Sequence, residues 1–221
     1  MLETLKQDVR RANIHLTNHG IDSFIRGSIS AIDRLNSLIV INPTGIFYDE
    51  ITADMMVVTD FQGNIVEGDL PPATDIKTHI EIYKAFENIG GIVHLYTPFA
   101  TAWAQAGRDI PPFGDFHAKA FDNAIPCTRS LSTSEIENDY EKNVGLIIKE
   151  TFQKRGLSED KTYGINVFNC GPYAWGIDCF SAVYNAVMLE NIAKTAYLTE
   201  RINPDVTTIS KAYFEINSEK N

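Results

Sequence analysis

The chain has 221 residues, 44% of them hydrophobic and 22% charged, enough apolar material for one buried core and incompatible with a disordered or fibrous class. Nineteen basic against 29 acidic residues give a formal net charge of −10, so a nucleic-acid surface, which needs a local excess of Lys and Arg, is not expected. The apolar runs are too short and interrupted to span a bilayer and the charged, amphipathic N-terminus does not resemble a signal peptide, so no membrane partner and a cytoplasmic location are expected.

Leu2, Leu5, Val9, Ala12 and Leu16 fall at helical spacing and predict a helix over residues 2–19 that stops near Gly20. Short strands follow in "SFIRGSISAID", "SLIVIN" and "MMVVTD", the last meeting "NIVEG" across the turn "FQGN". "ATDIKTHIEIYKAFENIG" reads as a helix capped by Thr74 or Asp75 and stopped by Gly90, followed by a strand from Ile92 to Tyr96 and a helix through "ATAWAQAG". Later, "EIENDYEKNVGLIIKETFQKRG" predicts one helix, "YGINVFNC" a strand, and "CFSAVYNAVMLENIAKTAYLTERI" a long amphipathic helix. Early strands cluster and later ones alternate with helices, which predicts an α/β fold with a mixed or mainly antiparallel sheet. Without a repeat or linker, a single domain over residues 1–221 is expected.

Strand positions two apart face the same way, so His94 and Tyr96 can converge. Cys170 stands where Gly171 and Pro172 break the predicted strand, and such ends form pocket rims. Imidazole, phenol and thiol all ligate metals, yet each has a plainer role, His94 as a hydrogen-bonded core residue and Cys170 as a small hydrophobe. Cys127, Cys170 and Cys179 form no CxxC pair, so reduced thiols are expected. Trp103 and Trp175 read as core or subunit-interface residues.

Five stretches in order, "MLETLKQDVRRAN", "TADMMVV", "GGIVHLYTPFATAWAQAG", "AIPCTR" and "GPYAWG", resemble the class II aldolase/adducin family, most closely its L-ribulose-5-phosphate 4-epimerase branch. The resemblance implies a three-layer α/β/α fold with a largely antiparallel central sheet and a C4 homotetramer with active sites between neighbouring subunits. It also implies a sugar-phosphate ligand and a divalent metal, typically zinc, held by three histidines near an acidic residue. That metal acts as a Lewis acid on the enediolate formed when a carbon–carbon bond breaks.

Several positions depart from the family pattern. The paired histidines match His94 and Tyr96, and the third matches Cys170, so the implied metal set is His94, Tyr96 and Cys170. A phenol must lose a proton with reference pKa of about 10 to ligate as an anion. Thiolate and phenolate also weaken the metal as a Lewis acid, so zinc or another divalent metal is expected to bind weakly or not at all. Asp75 retains the acidic position, while the aspartate used for proton transfer matches Lys119, beside His117; Asp75 and Lys119 are the candidate catalytic residues. A late histidine matches Ala212, and the tyrosine of the family's tail has no counterpart. Ser28, Thr44, Gly45 and Thr74 match phosphate-binding positions, but a lysine usual in the branch is Asn42.

One general acid or base contributes a factor of about 10² to 10⁴. Losing several predicts a divergent homologue of the epimerase that lacks efficient epimerase activity and keeps a sugar-phosphate-like pocket. The alternative is an active metal-dependent epimerase or aldehyde-lyase of altered specificity.

Overall fold

A computed structural model describes residues 2–18, 27–210 and 212–214. Its seven strands are β1 (Ser28–Asp33), β2 (Leu38–Ile41), β3 (Val57–Asp60), β4 (Ile65–Glu67), β5 (Gly91–His94), β6 (Gly164–Val167) and β7 (Gly171–Gly176). They form one sheet in the order β4-β3-β2-β1-β5-β7-β6, and every neighbouring pair is antiparallel. The helices are α1 (Glu3–Asn18), α2 (Ile76–Ala85), α3 (Pro98–Gln105), α4 (Asp115–Ala120), α5 (Thr133–Glu137), α6 (Tyr140–Arg155) and α7 (Cys179–Ile202).

The central strands bury both faces, so each face needs its own helical layer. On one side Val9, Ala12 and Leu16 of α1 and Ala182, Val183 and Ala186 of α7 pack against Ile29, Ala31 and Val93. On the other, Ile76, Ile80 and Tyr83 of α2 and Val144 and Ile148 of α6 pack against Ile39, Ile41, Ile92 and Trp175. A third cluster joins Ala100 and Trp103 of α3 to Leu189, Ile192 and Ala193 of α7. This is the α/β/α arrangement with an antiparallel sheet that the sequence predicts. Both tryptophans belong to the core of the single chain, the Trp103 indole donating to the Ala193 carbonyl at 3.0 Å.

Element boundaries differ from the sequence expectation in four informative places. Strand β5 ends at His94, before Tyr96, because Pro172, opposite Leu95, accepts the Leu95 amide but has no N–H to return the bond, and Pro98 opens α3. Helix α2 ends at Ala85, five residues short of Gly90; there the Arg34 guanidinium takes up the carbonyls of Tyr83, Phe86 and Ile89 at 3.3, 2.7 and 2.9 Å. The helix expected across residues 135–156 is two, broken at Asp139, whose φ of 64° is left-handed. Gly171–Pro172 opens β7 instead of breaking a strand. Proline is tolerated there because the paired Asn166 bonds outward, its amide to Pro126 and its carbonyl to Thr128. The predicted extension of β1 over residues 23–26 and the stop at Gly20 lie outside the described residues.

Two constraints can be tested. A Cβ added at Gly91 would lie 2.4 Å from the Cys179 amide nitrogen and 2.5 Å from the Asp178 carbonyl oxygen, so β5 runs against the turn entering α7 with room only for hydrogen. Gly91→Ala should lower stability by about 1–3 kcal/mol or more, the cost of overpacking against an obstacle that is backbone, as read by denaturant unfolding. At the surface, Arg129 bridges Glu135 of α5 and Glu150 of α6 with nitrogen–oxygen distances of 2.8–3.0 Å. Its hydrogen bonds are the largest cause holding both carboxyls down, from an ordinary 4.5 to about 2. Depressed carboxyls stabilise above their ordinary value and lose that contribution as pH falls through the folded one. The stability gap between wild type and Arg129→Ala should therefore close between about pH 4.5 and pH 2, and it should be small throughout because solvent screens the cluster.

Candidate functional site

A cavity of about 400 Å³ opens where the 42–48 loop, the start of α2 and the end of β5 meet, with Thr44, Gly45, Thr74, Asp75, His94 and Tyr96 among its lining residues. Residues distant in sequence reach it because β1 is flanked by β2 and β5, which bring the 42–48 loop and His94 to either side. Gly45 has φ +79° and open space where a Cβ would stand, so the loop presents bare backbone to the cavity. The N-terminus of α2 faces the same space beside Thr74 and Asp75 and contributes its partial positive charge. Asn42 is spent on the fold: its side-chain oxygen accepts from the Ile29 amide at 2.7 Å and its amide nitrogen donates to the carbonyls of Gly27 and Pro43.

Asp75 occupies the N-cap position of α2 but its side chain does not cap the helix. The carboxylate instead accepts from the Ser28 hydroxyl at 2.6 Å, and His79, one turn along the helix, stands 3.6 Å away. Burial opposes ionisation of Asp75, but His79, His94 and the Ser28 hydroxyl outweigh it and hold the carboxyl well below the usual carboxylate range. Ser28 is itself buried under Asp75 and engaged with His79 at 2.9 Å. It therefore lies behind the carboxylate, while Thr44, Gly45 and Thr74 form the wall.

His94 is buried, stacked face to face on Tyr173 at 4.0 Å and edge-on to Tyr96 at 4.6 Å between ring centroids. Its Nδ1 lies 3.0 Å from the Pro172 carbonyl, so an Nδ1 hydrogen would donate there and leave Nε2 facing Cys170 Sγ at 3.7 Å. Burial opposes protonation of His94, yet Cys170, Asp75 and the Pro172 carbonyl outweigh it and raise its pKa. Burial likewise opposes ionisation of Cys170, and pairing with His94 and a hydrogen bond with Tyr140 bring its pKa below the ordinary thiol value.

The His94–Cys170 separation matches two donors of one tetrahedral zinc, since bonds of about 2.0 Å to nitrogen and 2.3 Å to sulfur place the donors about 3.5 Å apart. The third donor is where the set falls short. Tyr96 is half-exposed, and its phenol is pushed well above its ordinary value by burial first and then by the charges of Cys170 and Asp75. Among the described residues, no three His, Cys, Asp or Glu side chains are placed to share an ion. The residues therefore do not fit the three-imidazole site that the sequence resemblance implies.

Lys119 stands apart from this constellation. It lies on α4, exposed and ion-paired with Asp115 at 2.5 Å, and that pairing raises its pKa, the opposite of what a general base needs. Neighbouring His117 is buried with Nε2 on the Asn123 carbonyl at 2.8 Å, and burial lowers its pKa. Ala212 lies on the short C-terminal segment, and residues 215–221 lie outside the described residues.

Sequence reasoning missed His79, Tyr173 and Tyr140. His79 had a readable signal, since Asp75, His79 and Tyr83 recur at i, i+4 and i+8 and so share one helix stripe. Tyr173 could be placed only once β7 was known to pair with β5, which sets it opposite His94.

Comparison with known proteins agrees with this architecture. The family model described as "Class II Aldolase and Adducin N-terminal domain" matches residues 7–197. Among solved structures, an L-fuculose 1-phosphate aldolase superposes with a TM-score of 0.81 at 21% identity, covering 98% of this chain and 95% of that one. L-fuculose 1-phosphate aldolase from Glaciozyma antarctica PI12 gives 0.77 at 16% identity over 99% and 81% of the two chains, and YgbL from Escherichia coli gives 0.75 at 16% over 97% of each. At such identities the likeness establishes the shared fold. With the family match running from α1 almost to the end of α7, the chain belongs to the class II aldolase and adducin family.

Proposed function

We propose that the chain is a divergent member of this family, related to its L-ribulose-5-phosphate 4-epimerase branch, that binds a small phosphorylated sugar or polyol without efficient epimerase activity. The observation that carries the ligand class is the cavity wall. Thr44 and Thr74 hydroxyls, the bare backbone at Gly45 and the start of α2 surround one space, a combination suited to a phosphate group. Solved relatives described as fuculose 1-phosphate aldolases agree with that class. In this reading Asp75 is the retained acid–base group at the cavity, Ser28 supports it from behind, and Lys119 has no part in proton transfer.

The loss of efficient epimerisation follows from donor chemistry. One imidazole, one thiol and a phenol reluctant to ionise replace three neutral imidazoles, and the matched positions of two further proton-transfer groups hold Lys119 and Ala212. With each such group contributing a factor of about 10² to 10⁴, little of the parental reaction should remain. We read the protein as a cytoplasmic homo-oligomer, a tetramer by resemblance, with no nucleic-acid or membrane partner. The 3.7 Å spacing of His94 Nε2 and Cys170 Sγ favours one alternative, a metal-dependent epimerase or aldehyde-lyase of altered specificity.

Elemental analysis after incubation with zinc and desalting separates the two readings. Wild type should retain sub-stoichiometric metal and His94→Ala none, whereas one zinc per chain lost in His94→Ala would establish the alternative. Calorimetric titration with sugar phosphates and inorganic phosphate addresses the ligand. Thr44→Val and Thr74→Val should each weaken binding about tenfold or more, the worth of a hydrogen bond to a charged group, and unchanged affinity in both would remove the phosphate assignment from this wall.

A further inference from the structure

A line of buried polar groups runs from the cavity into the seam between β1 and α2. Ser28 Oγ is 2.6 Å from Asp75 Oδ2 and 2.9 Å from His79 Nε2; on the far side of the ring, Ser30 Oγ is 2.7 Å from His79 Nδ1 and 2.9 Å from the Tyr83 hydroxyl. Ser28, Ser30, His79 and Tyr83 are each at most 1% exposed. Water therefore does not share these contacts, and each hydrogen in the seam needs an acceptor within it.

Counting hydrogens gives the line a direction. An ionised carboxylate only accepts, so the Ser28 hydroxyl donates to Asp75 and has no second hydrogen to offer. At its contact with His79, Ser28 must accept, which puts a hydrogen on Nε2; Asp75 Oδ2, 3.6 Å from the same nitrogen, is a second acceptor on that side. A neutral ring then presents a bare Nδ1, which takes the Ser30 hydrogen, and Ser30 accepts from Tyr83. Every hydrogen is used. A ring protonated on both nitrogens would reverse Ser30 and leave the Tyr83 hydroxyl hydrogen without an acceptor among the contacts of that buried group.

We propose that Tyr83, Ser30, His79 and Ser28 form a one-directional hydrogen-bond relay ending on Asp75, which fixes His79 as the neutral Nε2–H tautomer and makes it the positioning residue for the cavity carboxylate. The relay explains why Asp75 forgoes capping its own helix: its oxygen is committed to Ser28. It also explains two serines two residues apart on β1 facing a histidine and a tyrosine one turn apart on α2, since strand and helix periodicities bring those four side chains into one row. Its bearing on function rests on the reading of Asp75 as the acid–base group.

The test is long-range proton–nitrogen NMR on the full chain with labelled histidine at neutral pH, with the His79 ring assigned by comparison with His79→Gln. Wild type should show a pyrrole-type signal for Nε2 and a pyridine-type signal for Nδ1. An Nδ1–H tautomer, or pyrrole-type signals at both nitrogens, would overturn the proposal. Tyr83→Phe should leave both signals in place, because Ser30 still donates to Nδ1. Asp75→Ala alone should also leave them, because the buried Ser30 hydrogen still needs Nδ1 as its acceptor; adding Ser30→Ala removes the obligate partner on each side of the ring, and the two nitrogen signals should then move together as the second tautomer populates. Signals that move in a folded Asp75→Ala single variant would refute the direction assigned at Ser30, and the wild-type spectrum decides the tautomer even if the variants fail to fold. No ligand enters the measurement, so a failed relay and a failed sugar-phosphate reading would be told apart.

Discussion

The seam between β1 and α2 is the constraint on which the site depends. Elsewhere α2 meets the sheet through Ile76, Ile80, Tyr83 and other core side chains, and apolar contact alone would tolerate some sliding of the helix. Directional bonds remove that freedom. Ser28 and Ser30 hold His79 and Tyr83, while Arg34, just after β1, takes up three carbonyls around the end of the same helix. With both ends of α2 tied to one strand, Asp75 is delivered to the cavity at a set height, and β5, paired with β1 in the register Ser28 to His94, brings His94 to the same level.

The site built on that frame rests on two kinds of support. The cavity wall at Thr44, Gly45 and Thr74 rests on backbone and hydroxyl groups that a loop and a helix start supply with few demands on side-chain identity. The metal set rests on the identity of three side chains. Of the three positions only His94 is an imidazole; Tyr96 carries a phenol whose proton burial and neighbouring charge hold in place, and Cys170 Sγ stands 3.7 Å from His94 Nε2. Shape at such a site is held by the whole fold and reactivity by a few atoms.

Electrostatics around His94 gives the site a character of its own. Each of His94 and Cys170 favours the charged form of the other, raising the pKa of the imidazole and lowering that of the thiol against the opposing effect of burial, and Asp75 stands close by with its carboxyl held low. The strand ends at β5 and β7 hold this pair rigidly, since His94 is stacked on Tyr173 and bound to the Pro172 carbonyl.

Much of this was legible in the chain itself. Hydrophobic spacing and turn residues located α1, α3, α7 and the first four strands, and ordered motifs pointed to the α/β/α family fold, because periodicity follows directly from helix and strand geometry. His94, Tyr96, Thr44, Gly45, Thr74 and Asp75 were all named from sequence and all line one cavity. Three features depended on tertiary structure. Strand β7 was hidden because whether a proline breaks a strand depends on what its neighbour bonds to. Lys119 could be assigned to the surface only once its partner Asp115 was seen. His79 acquires a role only from two serines some fifty residues away, and sequence records spacing along the chain while a hydrogen-bond network is set by proximity across it.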